Sequence, residues 1–204
     1  MLFMHMGDNR SGKTALNAFF AWLAYLQGKI VYCNCPEYID KPGIYNHILN
    51  FPHKHINADD LFYERDLMDC YIMTDQGETA GLDSMHITKD VKEAGYFGTQ
   101  ATKMGVDWHF DTTRHKNILN RLRTLIHFRI ITIRYPFDPR LPLRAVHVKI
   151  QNRYSSVSRS KTFWIMKPWS LFPLFNSNVL IRPSYKDQLD YASLNSIHKQ
   201  LIGG

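Results

Sequence analysis

The stretch "GDNRSGKT", Gly7 to Thr14, decides how the rest of this chain reads. It fits G-x-x-x-x-G-K-[ST], a spacing in which glycines let the backbone curl around phosphate groups. The pattern carries that meaning only between a strand and a helix. Leu2 to Met6 is a short apolar run suited to a buried strand. After Thr14 comes "ALNAFFAWLAYLQG", apolar at helical spacing, with Gly28 placed to close the helix. The order strand, loop, helix is present.

The chemistry follows from the spacing. Gly7 and Gly12 allow the turn, and Asp8, Asn9, Arg10 and Ser11 supply successive N–H groups to an anion nest at a helix N-terminus. Lys13 reaches the β- and γ-phosphates, and the Thr14 hydroxyl is a ligand for Mg²⁺. Asp8 is unusual company for phosphates: it points outward or orders the water near the γ-phosphate. With the loop this early, the strand before it is expected to be the first of the core, with no preceding domain.

A chain of 204 residues, 45% hydrophobic, suits one α/β domain spanning 1–204. No apolar stretch is long enough for a membrane span, and no basic segment followed by an apolar core marks the start for export. Cys33 and Cys35 lie too close for a disulfide to be expected and, with Cys70, read as reduced buried thiols. The net charge of +7 permits a polyanionic partner. The "HKH" group at His53 to His55 reads as a solvated loop.

Further along, "KIVYCNCP" is a strand stopped by Pro36, and 37–60 is a polar stretch with proline and glycine breaks, read as a loop with a short helix. "CYIMTDQGE", Cys70 to Glu78, is a second buried strand ending in acids. "DVKEAGYFGTQATKMG" reads as a helix, "VDWHFDTT" as a strand and "NILNRLRTL" as a basic helical turn. "FRIITIRY", "RAVHVKIQNRY" and "KTFWIMK" are successive strands, the last two a hairpin around "SSVSRS". The tail from Ser184 is an amphipathic helix. Strand and helix alternate first and strands cluster later, which predicts a mixed sheet with a parallel part that binds nucleotide at the strand ends. No repeat or low-complexity segment interrupts it.

A phosphate loop needs an acid that holds Mg²⁺ at the end of a neighbouring buried strand. "YIMTD" supplies Asp75. Hydrolysis also needs a group that orients or deprotonates water. Glu78 is the first candidate for the base, and Gln76 the alternative that positions the water.

Together with the segment downstream of Glu78, these residues resemble the genome-packaging ATPases of the FtsK–HerA superfamily, particularly those of archaeal icosahedral viruses with an internal membrane, turreted ones included. The resemblance covers roughly Met1 to Arg123 and rests on "GDNRSGKT", "YIMTDQGE", "GLDS" and "TQATKMGVDWHFDTTRHKNILNRLR". It implies a RecA-like three-layer P-loop NTPase that uses ATP and Mg²⁺. Lys13 and Thr14 would hold phosphate and magnesium, and Asp75 the magnesium. The sensor falls in "DTTR" at Thr113, where the family commonly has glutamine, and Gln100 is the substitute. A ring, hexameric in most members, is implied, with one of Arg114, Arg121 and Arg123 acting on a neighbour's nucleotide. Double-stranded DNA and capsid or membrane vertex proteins would be its partners, and the cytoplasm of an infected host cell or the virion vertex its place. The basic hairpin 151–161 is a candidate for tracking the DNA backbone.

Two other readings use the same loop. One is a small-molecule nucleotide kinase with a lid in 37–60. The other is a non-translocating assembly ATPase.

Overall fold

The computed structural model describes residues 1–35, 49–56, 67–77, 82, 89–138, 140–153 and 159–175, with 89–94 and 172 described in backbone only. Along the chain run β1 (Leu2–Met6), α1 (Lys13–Leu26), β2 (Val31–Cys33), β3 (Lys54–His55), β4 (Tyr71–Thr74), α2 (Lys89–Ala101), β5 (Asp107–Thr112), α3 (Asn120–Leu125), β6 (Phe128–Tyr135), β7 (Ala145–Asn152) and β8 (Arg159–Ile165). The strands form one sheet in the order β3-β2-β4-β5-β1-β6-β7-β8. Pairing is parallel from β3 through β6 and antiparallel from β6 to β8.

The burial of each strand explains its place. All four residues of β4 are buried, as a central parallel strand covered on both faces requires. Ala15, Ala18, Ala21 and Ala24 give α1 a face of small side chains, so the helix packs closely on the sheet. Ala18, Ala21 and Ala24 lie against Val31, Cys33, Tyr71 and Met73, and Leu16 against Ile130, Val146 and Val148. On the other face, Phe97 of α2 and Leu122 of α3 pack on Leu2, Met4, Ile72, Trp108 and Phe110. Helix, sheet and helix make three layers. The Trp108 indole N–H in this core donates to Thr74 Oγ1 at 3.0 Å, so its polar atom is not orphaned.

Four local readings change. Lys54–His55 pairs in parallel with Tyr32 and Cys33 as a short edge strand, where a loop was expected. His53 is buried, not solvated: its ring lies 3.3 Å from Cys35 Sγ and 2.8 Å from the Phe51 carbonyl. Cys33 and Cys35 are joined in a disulfide, contrary to the expectation of free thiols. The chain bends at Asn34 as β2 ends, and the 5.1 Å between the two Cα atoms lies within disulfide range. Only Cys70 is free, and buried. The tail helix from Ser184, most of the stretch 37–60 and the tip of the basic hairpin fall outside the described residues.

Candidate nucleotide site

The loop between β1 and α1 is built as its glycines dictate. Gly7 has φ 153° and Gly12 φ 93°, and Arg10, at φ 61°, is also left-handed. A Cβ on Gly7 would sit 2.4 Å from the Thr132 carbonyl of β6, so no side chain fits there. Ser11 Oγ meets Thr132 Oγ1 at 2.9 Å, and Thr132 Oγ1 donates to the Met6 carbonyl at 3.1 Å. The loop is thereby tied to β6, a contact that sequence spacing does not suggest. The Lys13 ammonium donates to the carbonyls of Gly7 at 2.7 Å and Asp8 at 2.9 Å, which holds the charge over the first turn of the loop.

Thr14, in the first turn of α1, points at the ends of β4 and β5. Its hydroxyl lies 3.0 Å from Asp75 Oδ1 and 3.3 Å from Asp111 Oδ2. Parallel register explains the meeting: Thr74 pairs with Phe110, so the next residues along both strands are these two acids. Both are buried, at 6% and 2% exposure. Burial, then the Asp75 charge and the hydrogen bond that the protonated Asp111 donates to Asp75, push the Asp111 carboxyl well above the ordinary carboxylate range.

Asp75 is gripped from behind by Asn34. The Asn34 amide donates to the Asp75 carbonyl at 2.9 Å and its oxygen accepts from the Asp75 N–H at 2.9 Å. Asn34 sits between the two disulfide cysteines, so the covalent ring brackets the residue that aims the acid. Gln76 follows at φ 50°, a strained conformation, and its N–H donates to Asp111 Oδ1. The Gly77 N–H donates to the Asp111 carbonyl at 2.8 Å. The chain after β4 is thus folded onto the end of β5.

Asp111 is the residue that sequence reasoning passed over in favour of Thr113. Thr113 is exposed two residues beyond it. Gln100 lies in the last turn of α2, which leads into the start of β5. The phosphate loop stands at the opposite ends of these strands, so Gln100 is not brought to it. Glu78 lies outside the described residues. Among the arginines, Arg121 is exposed and lies over the exposed Tyr96 ring of α2 at 4.3 Å. Arg123 has its carbonyl engaged by Arg153 Nη1 at 3.3 Å. Arg114 is exposed just after β5, its backbone N–H and carbonyl bonded to Thr112 Oγ1 at 3.2 and 2.9 Å.

The residues present suit magnesium. A hydroxyl and two adjacent carboxylates are hard oxygen donors, and Mg²⁺ is commonly held by one or two carboxylates together with substrate phosphates. Among the described residues no group of three or more His, Cys, Asp and Glu could hold a metal alone. The donor set therefore fits an ion shared with a nucleotide.

A phosphate loop between β1 and α1, an acid at the end of β4 and a strand β5 between them define the P-loop NTPase fold, which this chain has. No protein-family model and no curated protein matches the sequence. Solved structures do match in fold. The N-terminal domain of zonular occludens toxin from Neisseria meningitidis is similar at 13% identity and TM-score 0.57, over 86% of this chain and 98% of that one. The genome packaging NTPase B204 from Sulfolobus turreted icosahedral virus 2, in complex with AMPPCP, is similar at 12% identity and TM-score 0.53, over 78% and 95%. The flagellar accessory protein FlaH from Methanocaldococcus jannaschii is similar at 15% identity and TM-score 0.54, over 79% and 84%. The resemblance drawn from the motifs is met here in the fold.

Proposed function

We propose that this chain hydrolyses ATP and uses it to drive double-stranded DNA into a viral capsid. One observation carries the nucleotide part: the Thr14 hydroxyl stands between Asp75 and Asp111 in the first turn beyond Lys13. The translocation part is supported by the fold shared with a viral packaging NTPase and by the net charge of +7.

Lys13 and the N–H groups of the loop bind and orient the phosphates. Thr14 and Asp75 would hold magnesium, which would supply positive charge to offset that of the phosphates. Asp111, within reach of Thr14, is placed to read the γ-phosphate and the water beside it, the role that the resemblance implied for Thr113. Gln76 keeps Asp111 in position through its backbone N–H. Glu78 remains the proposed base.

Arg114, exposed just after β5, is the arginine proposed to act on a neighbour's nucleotide in a ring of this chain. Arg121 lies over the Tyr96 ring instead, and Arg123 stands beside Arg153 at the end of α3. Capsid or membrane vertex proteins are the proposed docking partners, and the cytoplasm of an infected host cell or the virion vertex the proposed place of action.

The test is the rate of ATP hydrolysis by sized oligomers with and without double-stranded DNA. The reading predicts hydrolysis confined to the oligomer and raised by DNA. Full turnover by a strict monomer would overturn the ring, and phosphate transfer from ATP to a nucleoside monophosphate would mark a kinase instead.

A further inference from the structure

Charge is segregated along this chain. Between Thr113 and Lys186 there are fifteen lysines and arginines and one acid, Asp138. That acid is engaged by Arg140, whose guanidinium lies 3.0 Å away. The helix α3 and the strands β6, β7 and β8 contain no carboxylate at all.

The fold gathers part of this charge where α3, β6 and β7 meet. Arg129, second in β6, contacts the His115 ring through Nη2. Arg153 continues the β6–β7 ladder, its N–H donating to the His127 carbonyl at 2.8 Å, and its guanidinium reaches the Arg123 carbonyl. None of Arg123, Arg129 and Arg153 forms an ion pair with a described carboxylate. The Nε atoms of Arg123 and Arg129 are both buried and without a hydrogen-bond partner.

Buried guanidinium donors left unmet beside like charges are costly, and a native structure needs a reason to keep them. The crowding is felt: burial first, then the neighbouring arginines, lower the affinity of His115 and Arg129 for their protons. An anion supplies what the cluster lacks. Register extends the cationic face outward: Arg129 pairs with Gln151 and Ile131 with Lys149, so Lys149 projects from the same side of the sheet as Arg129. Gln151 and Lys149 pair in turn with Ser160 and Thr162, both exposed hydroxyl residues of β8. Guanidinium, ammonium and hydroxyl groups in a row suit repeated phosphates, and no base-reading pocket is implied.

We infer that the face formed by Arg123, Arg129, Arg153 and Lys149 binds the phosphodiester backbone of nucleic acid. The inference deepens the proposed DNA-handling function and rests on that reading. It moves the grip from the hairpin tip to the sheet itself and sets it apart from the Lys13–Asp75 site.

The test is anisotropy of a short labelled DNA duplex titrated with the full-length protein across about 50 to 200 mM salt. Arg129→Gln/Lys149→Gln/Arg153→Gln is compared with wild type. Arg153→Glu alone, at an exposed residue, serves if the triple variant does not fold. The triple variant is expected to bind at least tenfold more weakly at fixed salt. Each lost phosphate contact should flatten the log–log salt slope by about one, about three in all. ATP hydrolysis without DNA should be unchanged. Wild-type affinity and slope in a folded Arg153→Glu or triple variant would overturn the inference. So would a wild-type protein that hydrolyses ATP but binds no duplex at low salt. Displacement of the duplex by inorganic phosphate at matched ionic strength would mark a small-anion site and also overturn it. Duplex binding lost in these variants, with no ATP hydrolysis by wild type, would refute the motor reading and leave this face standing.

Discussion

Replacing Asn34 by alanine tests the least conspicuous part of the site. The side chain is 9% exposed and makes two hydrogen bonds to one residue's backbone, the N–H and the carbonyl of Asp75. Alanine leaves both backbone groups at a buried strand end without partners. Each such loss costs about 1–3 kcal/mol, so Asn34→Ala should destabilise the protein by about 2–6 kcal/mol. Set against a total of about 5–15 kcal/mol, that is large enough to read directly in a urea unfolding midpoint. The Asp75 carboxylate also loses its aim, so hydrolysis should fall and the Mg²⁺ concentration needed for half-maximal rate should rise. Asn34→Asp should do no better: it keeps an acceptor for the Asp75 N–H, loses the donor and adds a third carboxylate beside Asp75 and Asp111. A shift below about 0.5 kcal/mol, the size of an ordinary surface substitution, with an unchanged Mg²⁺ requirement, would refute the clamp.

Asp111→Asn keeps the shape and removes a carboxyl that burial and Asp75 already hold high; stability should be unchanged or raised while the hydrolysis rate falls about 10²–10⁴-fold, and a wild-type rate would exclude Asp111 from the chemistry. His5 and His109 form a buried pair at 2.9 Å, and burial holds the His5 pKa down to about 3 and His109 well below its ordinary value. Both bind protons more tightly when unfolded, so their contribution is fully present above pH about 6.5 and is lost as pH falls toward 3. The slope is at most about 1.4 kcal/mol per pH unit for each ring, read from denaturation midpoints. A profile flat from pH 7 to 4 would contradict the burial. With Cys33 and Cys35 joined and the Cys70 thiol pushed up to about 11 by burial, native protein without reductant should take up no alkylating agent at neutral pH. After reduction in denaturant all three cysteines should react, as intact mass will show.

The parts of this fold that sequence made legible are those whose information is local. The glycine spacing of Gly7 to Thr14, the apolar run of β1 and the apolar helical spacing of α1 lie within a few turns of one another. They fold as read. Asp75 was legible too, because a fully buried strand that stops at an acid is itself a signal. Asn34 and Asp111 were not, since each acquires its role from a strand 41 or 35 residues away. Only the β2–β4–β5 register turns Asn34 into a clamp and sets Asp111 beside Asp75, and "DTT" in sequence gives no reason to prefer its first residue over its third. Cys33 and Cys35 misled because spacing alone omits the bend at Asn34. His53 looked like a solvated loop residue beside Lys54, yet β3 pairing turns its ring inward against Cys35. The arginines were visible as residues and not as a cluster, because α3, β6 and β7 must meet before Arg123, Arg129 and Arg153 share one place.

The loop from Gly7 to Thr14 is proposed to bind a nucleotide with magnesium through Lys13, Thr14 and Asp75. Calorimetric titration of ATP with Mg²⁺ into wild-type protein and Lys13→Ala measures it directly. The account predicts wild-type binding that weakens at least about 100-fold in the variant, since a charge-assisted contact to phosphate worth about 3 kcal/mol is removed. Equal affinity in the two proteins, or no binding to wild type at millimolar ATP, would contradict it.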